Sequence, residues 1–248
     1  MKAKLAVLVS VLAASGAAMA QATKPPEPDY TLSYNVGAVT DYRYRGISQS
    51  RLRPALQGGI DFAHKSGFYI GTWASTIKWI KDAGGDSNVE IDLYGGYKTT
   101  FSGVGIDVGL LRYYYPNNNL AVNADTTEAY IAGSWGPGTL KYSHAITNLF
   151  GFGNSEGSGY LDLSATFELP WYGLTLTPHV GHQRVKNNSF VSYTDWALTL
   201  GKDFGNGFSA SLAYVDTNAK TDPVLAYPSP SGKNLGRAGL VAGVKYSF

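Results

Sequence analysis

The sequence predicts an all-β protein, namely a transmembrane antiparallel up-and-down β-barrel of about 12 strands. Three observations lead to this fold class. The chain opens with an export signal, its segments alternate between apolar and polar residues, and its connections alternate between tight turns and long polar loops. An even number of strands returns both termini to the same side of the membrane, which suits an exported chain.

Residues 1–20 have the pattern of a signal peptide. Lys2 and Lys4 precede an apolar run over residues 5–14, and small residues lead up to Ala20. This run is shorter than the roughly 20 apolar residues that a membrane-spanning helix needs. We therefore expect export across the inner membrane with cleavage after Ala20. Residues 21–29 carry three prolines and are expected to form an extended periplasmic leader, because proline cannot donate to a strand ladder.

Composition excludes several classes of function. The formal net charge of +2 falls to zero once Lys2 and Lys4 are removed, so no basic excess points to nucleic acid as a partner. The chain has no cysteine, which excludes disulfides. Beyond the signal no long apolar segment is present, and the mean hydropathy is slightly negative, as expected when lipid-facing and lumen-facing residues alternate. No cofactor is implied.

The barrel is expected to occupy residues 30–248. Alternation and turn residues predict its strands at residues 30–45, 51–64, 68–79, 88–99, 104–115, 126–135, 139–148, 159–169, 173–185, 192–203, 208–217 and 236–248. Tight connections such as Gly136-Pro137-Gly138 alternate with long polar ones. Short periplasmic turns and longer outer loops are typical of membrane barrels. Only the first outer connection, residues 46–50, is expected to be short.

The fourth predicted strand separates its two faces clearly. Val89, Ile91 and Leu93 fall on one face, and Glu90 and Asp92 on the other. A charge toward hydrocarbon costs roughly 2 to 4 kcal/mol at the midplane, so the charged face is expected to look into the lumen. A soluble sheet with one solvent-exposed face would show the same local alternation. Such a sheet does not require short and long connections to alternate.

The last predicted strand ends on an aromatic carboxyl-terminal residue. Gly243, Tyr246 and Phe248 resemble the signal by which outer-membrane proteins are recognised for insertion, although Val241 stands where that signal usually has a polar residue. We therefore expect the barrel-assembly machinery and outer-membrane lipid as partners.

Aromatic residues are expected at both membrane interfaces. Trp135 and Trp171 flank predicted periplasmic turns, and Trp79 and residues 113–115 lie where strands meet outer loops.

Residues 35–50 are the most distinctive stretch, Asn-Val-Gly-Ala-Val-Thr-Asp-Tyr-Arg-Tyr-Arg-Gly-Ile-Ser-Gln-Ser. Further on come Pro-Ala-Leu-Gln-Gly-Gly at 54–59, Gly-Phe-Tyr-Ile-Gly-Thr-Trp-Ala at 67–74 and Glu-Ile-Asp-Leu-Tyr-Gly-Gly-Tyr at 90–97. Over nearly the whole mature chain, and most densely before Tyr97, the sequence resembles the TorF family of porins from Gram-negative bacteria. The resemblance implies an outer-membrane barrel, and it carries no functional residues over to this chain.

Inward charges are expected near the outer mouth, on two opposite walls. Closure makes the last strand a neighbour of the first, which brings together the basic residues Arg43, Arg45, Arg51, Arg53 and Arg237. The acidic residues expected at similar height around the remaining wall are Glu90, Asp92, Glu128, Asp162 and Asp195. Such charges set ion and solute selectivity in pores. In the alternative interpretation the same groups pair in a salt-bridge network and fill the lumen.

The sequence therefore predicts an outer-membrane porin, a passive diffusion channel for small hydrophilic solutes or ions. The alternative is a closed-lumen structural or adhesive barrel, because twelve strands fall between filled eight-stranded barrels and open porins of 16 to 18 strands. A lipid-modifying barrel enzyme is less favoured, and we expect no enzymatic activity, since no nucleophile elbow or phosphate loop is present. His179 and His182 are expected to share a strand face, but no carboxylate or cysteine motif completes a metal site.

Overall fold

The computed structural model describes residues 28–220, 227 and 232–248. The predicted signal peptide and residues 21–27 of the predicted leader lie outside them. In the described part of the chain, twelve strands close into one antiparallel barrel, so the predicted fold class and strand number are confirmed.

We number the barrel strands β1 to β12 in chain order. Their bounds are Tyr30–Val39 for β1, Ala55–His64 for β2, Phe68–Thr76 for β3, Val89–Phe101 for β4, Val104–Tyr114 for β5, Thr126–Trp135 for β6, Gly138–Ala145 for β7, Gly159–Ala165 for β8 with its continuation Phe167–Glu168, Leu174–Arg184 for β9, Tyr193–Gly205 for β10, Phe208–Thr217 for β11 and Gly239–Ser247 for β12. Each strand pairs with its sequence neighbours, and β12 pairs with β1.

The seam between β1 and β12 includes the carboxyl-terminal residue. The backbone amide of Tyr34 donates to the carbonyl of Phe248 at 2.9 Å, and the amide of Phe248 donates to the carbonyl of Tyr34 at 3.0 Å. The two rings stack with their centroids 5.6 Å apart. The terminal aromatic residue therefore belongs to the closure of the barrel.

Tight turns join the strands at one end of the barrel, which we call the turn end. At the other, the loop end, the long connections cover residues 40–54, 77–88, 115–125, 146–158, 185–192 and 218–238. The prediction of a short first outer connection was wrong, because β1 ends at Val39 and β2 begins at Ala55. The alternation of the sequence continues past Val39, but the backbone leaves the barrel wall there and folds into the lumen.

The two faces of the barrel differ as predicted. Apolar residues such as Leu56, Leu110 and Leu240 point outward and are more than half exposed. On β4, Glu90 and Asp92 point inward and are buried. An apolar outer band of this kind suits contact with lipid.

The packed core lies inside the loop end. Its buried apolar residues form three clusters, which include Tyr42, Ile77, Ile80 and Tyr115 in the first, Ala145, Leu149, Val185 and Val191 in the second, and Ile47, Tyr193, Ala219 and Leu235 in the third. Helix α1, Trp79–Asp82, and a 3-10 helix, Ser189–Val191, contribute to this core. Within the described residues, no helix is long and apolar enough to cross a membrane.

The aromatic prediction holds at the turn end and partly fails at the loop end. Trp135 and Trp171 are exposed at the turn end, as predicted. Tyr113 and Tyr115 are buried inside the barrel, and Trp79 packs edge to face on Tyr115 with centroids 5.1 Å apart. These rings belong to the core because the connections that carry them fold inward.

Candidate functional site

The first long connection forms a small hairpin inside the barrel, which we call the lumen hairpin, residues 43–48. Its two short strands, Arg43–Tyr44 and Ile47–Ser48, pair antiparallel. Arg45 and Gly46 form the turn with φ angles of 47° and 78°. Positive φ at both central residues is what a tight hairpin turn of type I′ requires, and glycine adopts it without strain.

The base of the lumen hairpin is held by one buried carboxylate. Ser48 donates from its hydroxyl to Asp41 Oδ1 at 2.5 Å, and Ser50 donates to the same oxygen at 3.1 Å. Arg43 donates from Nε to Asp41 Oδ2 at 2.5 Å. Asp41 therefore ties both ends of the hairpin together.

A buried tyrosine ties the same segment to the barrel wall. Tyr42 donates from its hydroxyl to Glu90 Oε1 on β4 at 2.6 Å. Its ring packs edge to face on Trp73 of β3, with centroids 5.4 Å apart. Burial, and then the charge of Glu90, raises the pKa of Tyr42 well above its ordinary value, so the phenol stays protonated and acts as the donor.

The tip of the lumen hairpin reaches the far side of the barrel. Arg45 donates to both carboxylate oxygens of Glu128 on β6, at 3.0 and 2.7 Å, and to Gln183 Oε1 on β9 at 2.6 Å. Its guanidinium also lies 4.2 Å from the ring centroid of Tyr160 on β8. Because β6 to β9 stand opposite β1 and β2 in the closed sheet, the hairpin spans the lumen.

The tip fits closely against the wall. A Cβ atom added to Gly46 would lie 2.3 Å from Thr217 Cγ2 and 2.8 Å from Asp195 Cβ. No side chain fits in that space, so glycine is needed for the contact as well as for the turn.

None of the five predicted basic residues lies on a strand of the barrel wall. Arg43 and Arg45 belong to the lumen hairpin, and Arg51 follows it and pairs with Asp82 of α1. Arg53 is exposed just before β2, and Arg237 is exposed just before β12. The first and last strands are neighbours, as predicted. Arg43 and Arg237 also lie close together, since Arg43 Nη1 donates to the backbone carbonyl of Arg237 at 3.0 Å.

The five predicted acidic residues all point inward from strands. Those on β4, β6 and β10 are buried at the loop end, namely Glu90, Asp92, Glu128 and Asp195. Asp162 lies deeper on β8, where its Oδ2 is 2.7 Å from Nε2 of His179. Arg45 therefore crosses the lumen and contacts the acidic side directly, through Glu128.

The two histidines on β9 face opposite ways, so the expectation that they share a face was wrong. They are three residues apart, an odd number, and strand faces alternate with period two. His179 binds Asp162 inside the lumen, whereas His182 is exposed and its Nδ1 lies 2.9 Å from the hydroxyl of Thr194. Among the described residues, no cluster of side chains is suited to hold a metal ion.

At the turn end the lumen wall carries tyrosines that lie over glycines. Tyr94 faces Gly71 on the neighbouring strand, and a Cβ atom there would meet the tyrosine ring at 2.5 to 2.7 Å. Tyr69 covers Gly96 in the same way, and Tyr130 covers Gly109. Each ring therefore lies along the wall.

Hydrogen bonds fix these rings in place. Tyr94 donates to Asp61 Oδ1 at 2.5 Å, and Tyr69 donates to Asp107 Oδ1 at 2.6 Å and also contacts the hydroxyl of Tyr130.

Two cavities lie in the described part of the barrel. The lumen cavity, of about 310 Å³, runs along β11, β12, β1 and β2 and is lined mainly by small or polar residues such as Gly37, Ser209, Ser211, Gly243 and Lys245. The loop-end cavity, of about 500 Å³, lies among the long connections, with Arg45 and Ile47 in its wall. The two cavities share no lining residue, and of the two only the loop-end cavity is lined by residues of the hairpin.

Solved barrels share this architecture. The KdgM porin matches with a TM-score of 0.57 at 10% identity, over 87% of this chain and 99% of its own. The NanC porin matches with a TM-score of 0.55 at 11% identity, over 88% and 99%. A further KdgM structure, a complex with disordered oligogalacturonate, matches with a TM-score of 0.56 at 10% identity, over 88% and 98%. At such identities the likeness shows the fold alone.

A search of curated protein sequences gives no match. The family model that does match covers residues 22–248 and is described as a bacterial protein of unknown function, Gcw_chp. The TorF name therefore stays a prediction from resemblance. The chain belongs to the Gcw_chp family of bacterial proteins of unknown function.

Proposed function

We propose that this protein is an outer-membrane porin, a passive diffusion channel for small hydrophilic solutes or ions. The observation that carries the proposal is the hydrophilic lumen at the turn end. Its wall is made of small and polar residues, with tyrosine rings held flat against it, so it is not filled by packed side chains as an eight-stranded barrel is. A polar interior inside an apolar outer band is how membrane channels of this type are built.

The lumen cavity marks the route that we assign to solutes. It follows the β11 to β2 side of the barrel, where small residues such as Gly37, Ser211 and Gly243 line it. The opposite side carries the tyrosines and the inward carboxylates. A small solute would therefore pass along a narrow wall of small and hydroxyl side chains that also carries Lys245, with the carboxylates on the opposite side.

The lumen hairpin is the constriction in this proposal. It spans the lumen at the loop end, and Arg45 at its tip binds the inward carboxylate of Glu128. We assign ion selectivity to this level, with Arg43, Arg51, Arg53 and Arg237 near one side and Glu90, Asp92, Glu128 and Asp195 around the other. Arg45 crosses from the first side to Glu128, and Asp162 adds a carboxylate deeper in the lumen. Because Arg45 pairs closely with Glu128, we expect the electric field across the lumen to be weaker than the field between two separate charged walls.

Location and assembly follow from the same proposal. Export would use residues 1–20, and the barrel-assembly machinery would recognise the last strand through Phe248. The contacts of Phe248 at the β1 to β12 seam support a role for this residue in closing the barrel.

The second candidate is a closed structural or adhesive barrel. One observation favours it, namely that the lumen hairpin spans the lumen and its tip is bound to Glu128 on the far wall. In this case the ion pair of Arg45 and Glu128 would act as a permanent plug.

Liposome swelling distinguishes the two candidates. The refolded chain, residues 21–248, is placed in vesicles, which are then diluted into isotonic arabinose, glucose or raffinose, and protein-free vesicles serve as the control. We expect swelling that is fastest with arabinose and slowest with raffinose. If a barrel shown to be folded by circular dichroism gives no swelling with any sugar, the porin proposal is wrong and the closed barrel is favoured.

A further inference from the structure

Trp73 is the one tryptophan that points into the lumen from a strand of the described barrel. It lies on β3, in a row across the sheet with Asn35 on β1 and Gly59 on β2, and it lines the lumen cavity. Tyr42 packs on it edge to face, and the hydroxyl of Tyr42 is bound to Glu90. The indole is therefore fixed in position before any solute arrives, in a wall made mainly of small and polar residues.

An amide group lies beside the indole. A Cβ atom added to Gly59 would lie 3.1 Å from Nδ2 of Asn35 and 3.2 Å from Cδ1 of Trp73. Because Gly59 has no side chain, these two groups come together over it from the neighbouring strands. An aromatic surface and a hydrogen-bonding group are thus side by side in the wall of the cavity.

The same wall carries polar groups that are free to bind a solute. Gln57 lines the cavity, and its amide nitrogen makes a long contact of 3.4 Å to Ser75 Oγ. Neither the amide of Asn35 nor the indole nitrogen of Trp73 belongs to the buried polar atoms that lack a partner in the described part of the chain, so solvent reaches both. Amide side chains offer donors and an acceptor together.

One cation and no carboxylate line the cavity. Lys245 points into it from β12, is exposed, and forms no ion pair with a described residue. Two carboxylates on nearby strands lie outside the lining. Asp61 on β2 accepts the hydroxyl of Tyr94, and Asp92 on β4, beside Trp73, is buried. The lining therefore suits a neutral or acidic solute and disfavours a cation.

This combination of groups fits a sugar ring. A pyranose presents C–H groups on its faces, which pack on an aromatic surface, and hydroxyls around its rim, which both donate and accept hydrogen bonds. An inorganic ion would make no use of the indole, and an apolar molecule would leave the amides of the wall without partners, which is costly. Ser209 and Ser211 add two hydroxyls from β11. The volume of about 310 Å³ lies at the lower end of the roughly 300 to 1,000 Å³ that is usual for small-molecule sites, so it suits a single ring.

From these observations we infer that the lumen cavity is a binding site for one pyranose ring of a neutral or acidic sugar. The ring packs on Trp73, its hydroxyls bind the amides of Asn35 and Gln57, and Lys245 binds the carboxylate of an acidic sugar. The inference rests on the proposed function, because it names the class of solute that the channel holds on its way through.

Saturation-transfer difference NMR on the refolded chain in lipid nanodiscs measures this binding without any need for conduction. The probe is methyl β-D-glucopyranoside, and protein-free nanodiscs correct for contact with lipid. We expect saturable transfer to the protons of the sugar ring. Sorbitol is rich in hydroxyls but has no ring, so we expect it to bind about three- to tenfold more weakly, because it has no fixed face to pack on the indole.

Four variants locate the site. Trp73→Leu keeps an apolar side chain but removes the indole, and it should weaken binding of the glucoside about three- to tenfold. Asn35→Ala removes a hydrogen-bonding group and should weaken it about two- to tenfold. Lys245→Gln should weaken binding of methyl β-D-glucuronide about two- to fivefold and leave binding of the glucoside unchanged. Ser164→Ala is the control, because it removes an inward hydroxyl on β8 outside the cavity, and it should change neither.

The inference is overturned if transfer to the glucoside is not saturable, if sorbitol binds as tightly, if Trp73→Leu and Asn35→Ala bind the glucoside like the wild type, or if Lys245→Gln binds the glucuronide like the wild type. Bilayer conductance of the same preparation separates this result from the proposed function. A barrel that conducts but does not bind the glucoside keeps the pore and loses this site, whereas one that binds it and does not conduct keeps the site and loses the pore.

Discussion

The ion pair of Arg45 and Glu128 should decide how often the lumen hairpin leaves its place. Both side chains are buried, with 6% and 2% of their surfaces exposed. Replacing Arg45 by methionine keeps most of the side-chain volume and leaves Glu128 without its partner. Breaking a buried pair in this way costs about 3 to 5 kcal/mol. Since about 1.4 kcal/mol corresponds to a factor of ten, the undocked fraction should rise by about two to three and a half orders of magnitude.

A cysteine reporter measures that fraction directly. The native chain has no cysteine, so Ser48→Cys introduces a single thiol at a position that is 0% exposed. A maleimide added from the loop side can react only when the hairpin is undocked. When redocking is faster than labelling, the labelling rate is proportional to the undocked population. The same reporter is present in every variant, so its own effect on docking cancels.

Two further variants make the test specific. Arg45→Met with Glu128→Leu removes both charges, and because replacing a buried pair by apolar residues of similar volume is often neutral, labelling should return to within about tenfold of the wild-type rate. Arg53→Met removes an exposed arginine of the same connection and should have no effect. If Arg45→Met labels as slowly as Arg53→Met, the ion pair does not hold the hairpin and the reasoning is refuted.

Three other substitutions test separate parts of the structure. Gly46→Ala forces a side chain into the lumen wall at a positive φ and should destabilise hairpin docking by about 1 to 3 kcal/mol, measured by the same labelling rate. Gly103→Ala is the control, because the added Cβ meets nothing there, and it should leave the labelling rate unchanged. Gly71→Ala should push the overlying tyrosine ring into the lumen and lower conductance, and an unchanged conductance would contradict the flat-ring geometry. Leu110→Arg, on the lipid-facing side, should lower the free energy of unfolding in lipid by about 2 to 4 kcal/mol, whereas Phe101→Arg near the interface should cost about 0 to 1 kcal/mol. Equal losses in urea titrations of these two variants would mean that the outer band is not in lipid.

The sequence predicts the barrel well because the patterns that indicate its strands and turns are local in the sequence. Strand faces follow a period of two, so Glu90 and Asp92 could be placed in the lumen from their spacing alone. Turn residues mark the ends of strands, and the alternation of short and long connections indicates a membrane barrel before any contact is known. Closure then makes β1 a neighbour of β12, although Arg43 reaches the carbonyl of Arg237 from the lumen hairpin and not from β1.

The lumen hairpin was not predicted, because its placement depends on contacts distant in sequence. Residues 40–45 keep the alternation of a strand, and nothing in that pattern shows that the backbone leaves the wall after Val39. The one local signal was the pair Arg45 and Gly46, since glycine as the second residue of a two-residue turn is typical of a tight hairpin. The partners Glu128 and Gln183 come from strands far along the chain, and no spacing rule connects them to Arg45.

The inward turn of Trp79 and Tyr115 was missed for a similar reason. Aromatic residues at strand ends were assigned to a membrane girdle, which is their usual place. Here α1 and the neighbouring connection fold over the barrel mouth and carry these rings into the core. Only the packing of several connections together produces the loop-end cavity.

Single-channel recording in planar bilayers tests the central claim most directly. The refolded wild-type chain is compared with a variant in which residues 42–49 are replaced by a short Gly-Ser linker, both shown to be folded by circular dichroism and by heat-dependent gel mobility. A pore constricted by the lumen hairpin predicts small, stable conductance steps for the wild type and steps several-fold larger for the variant. If the folded variant without the hairpin conducts no ions, the barrel is closed by other means and the porin account is contradicted.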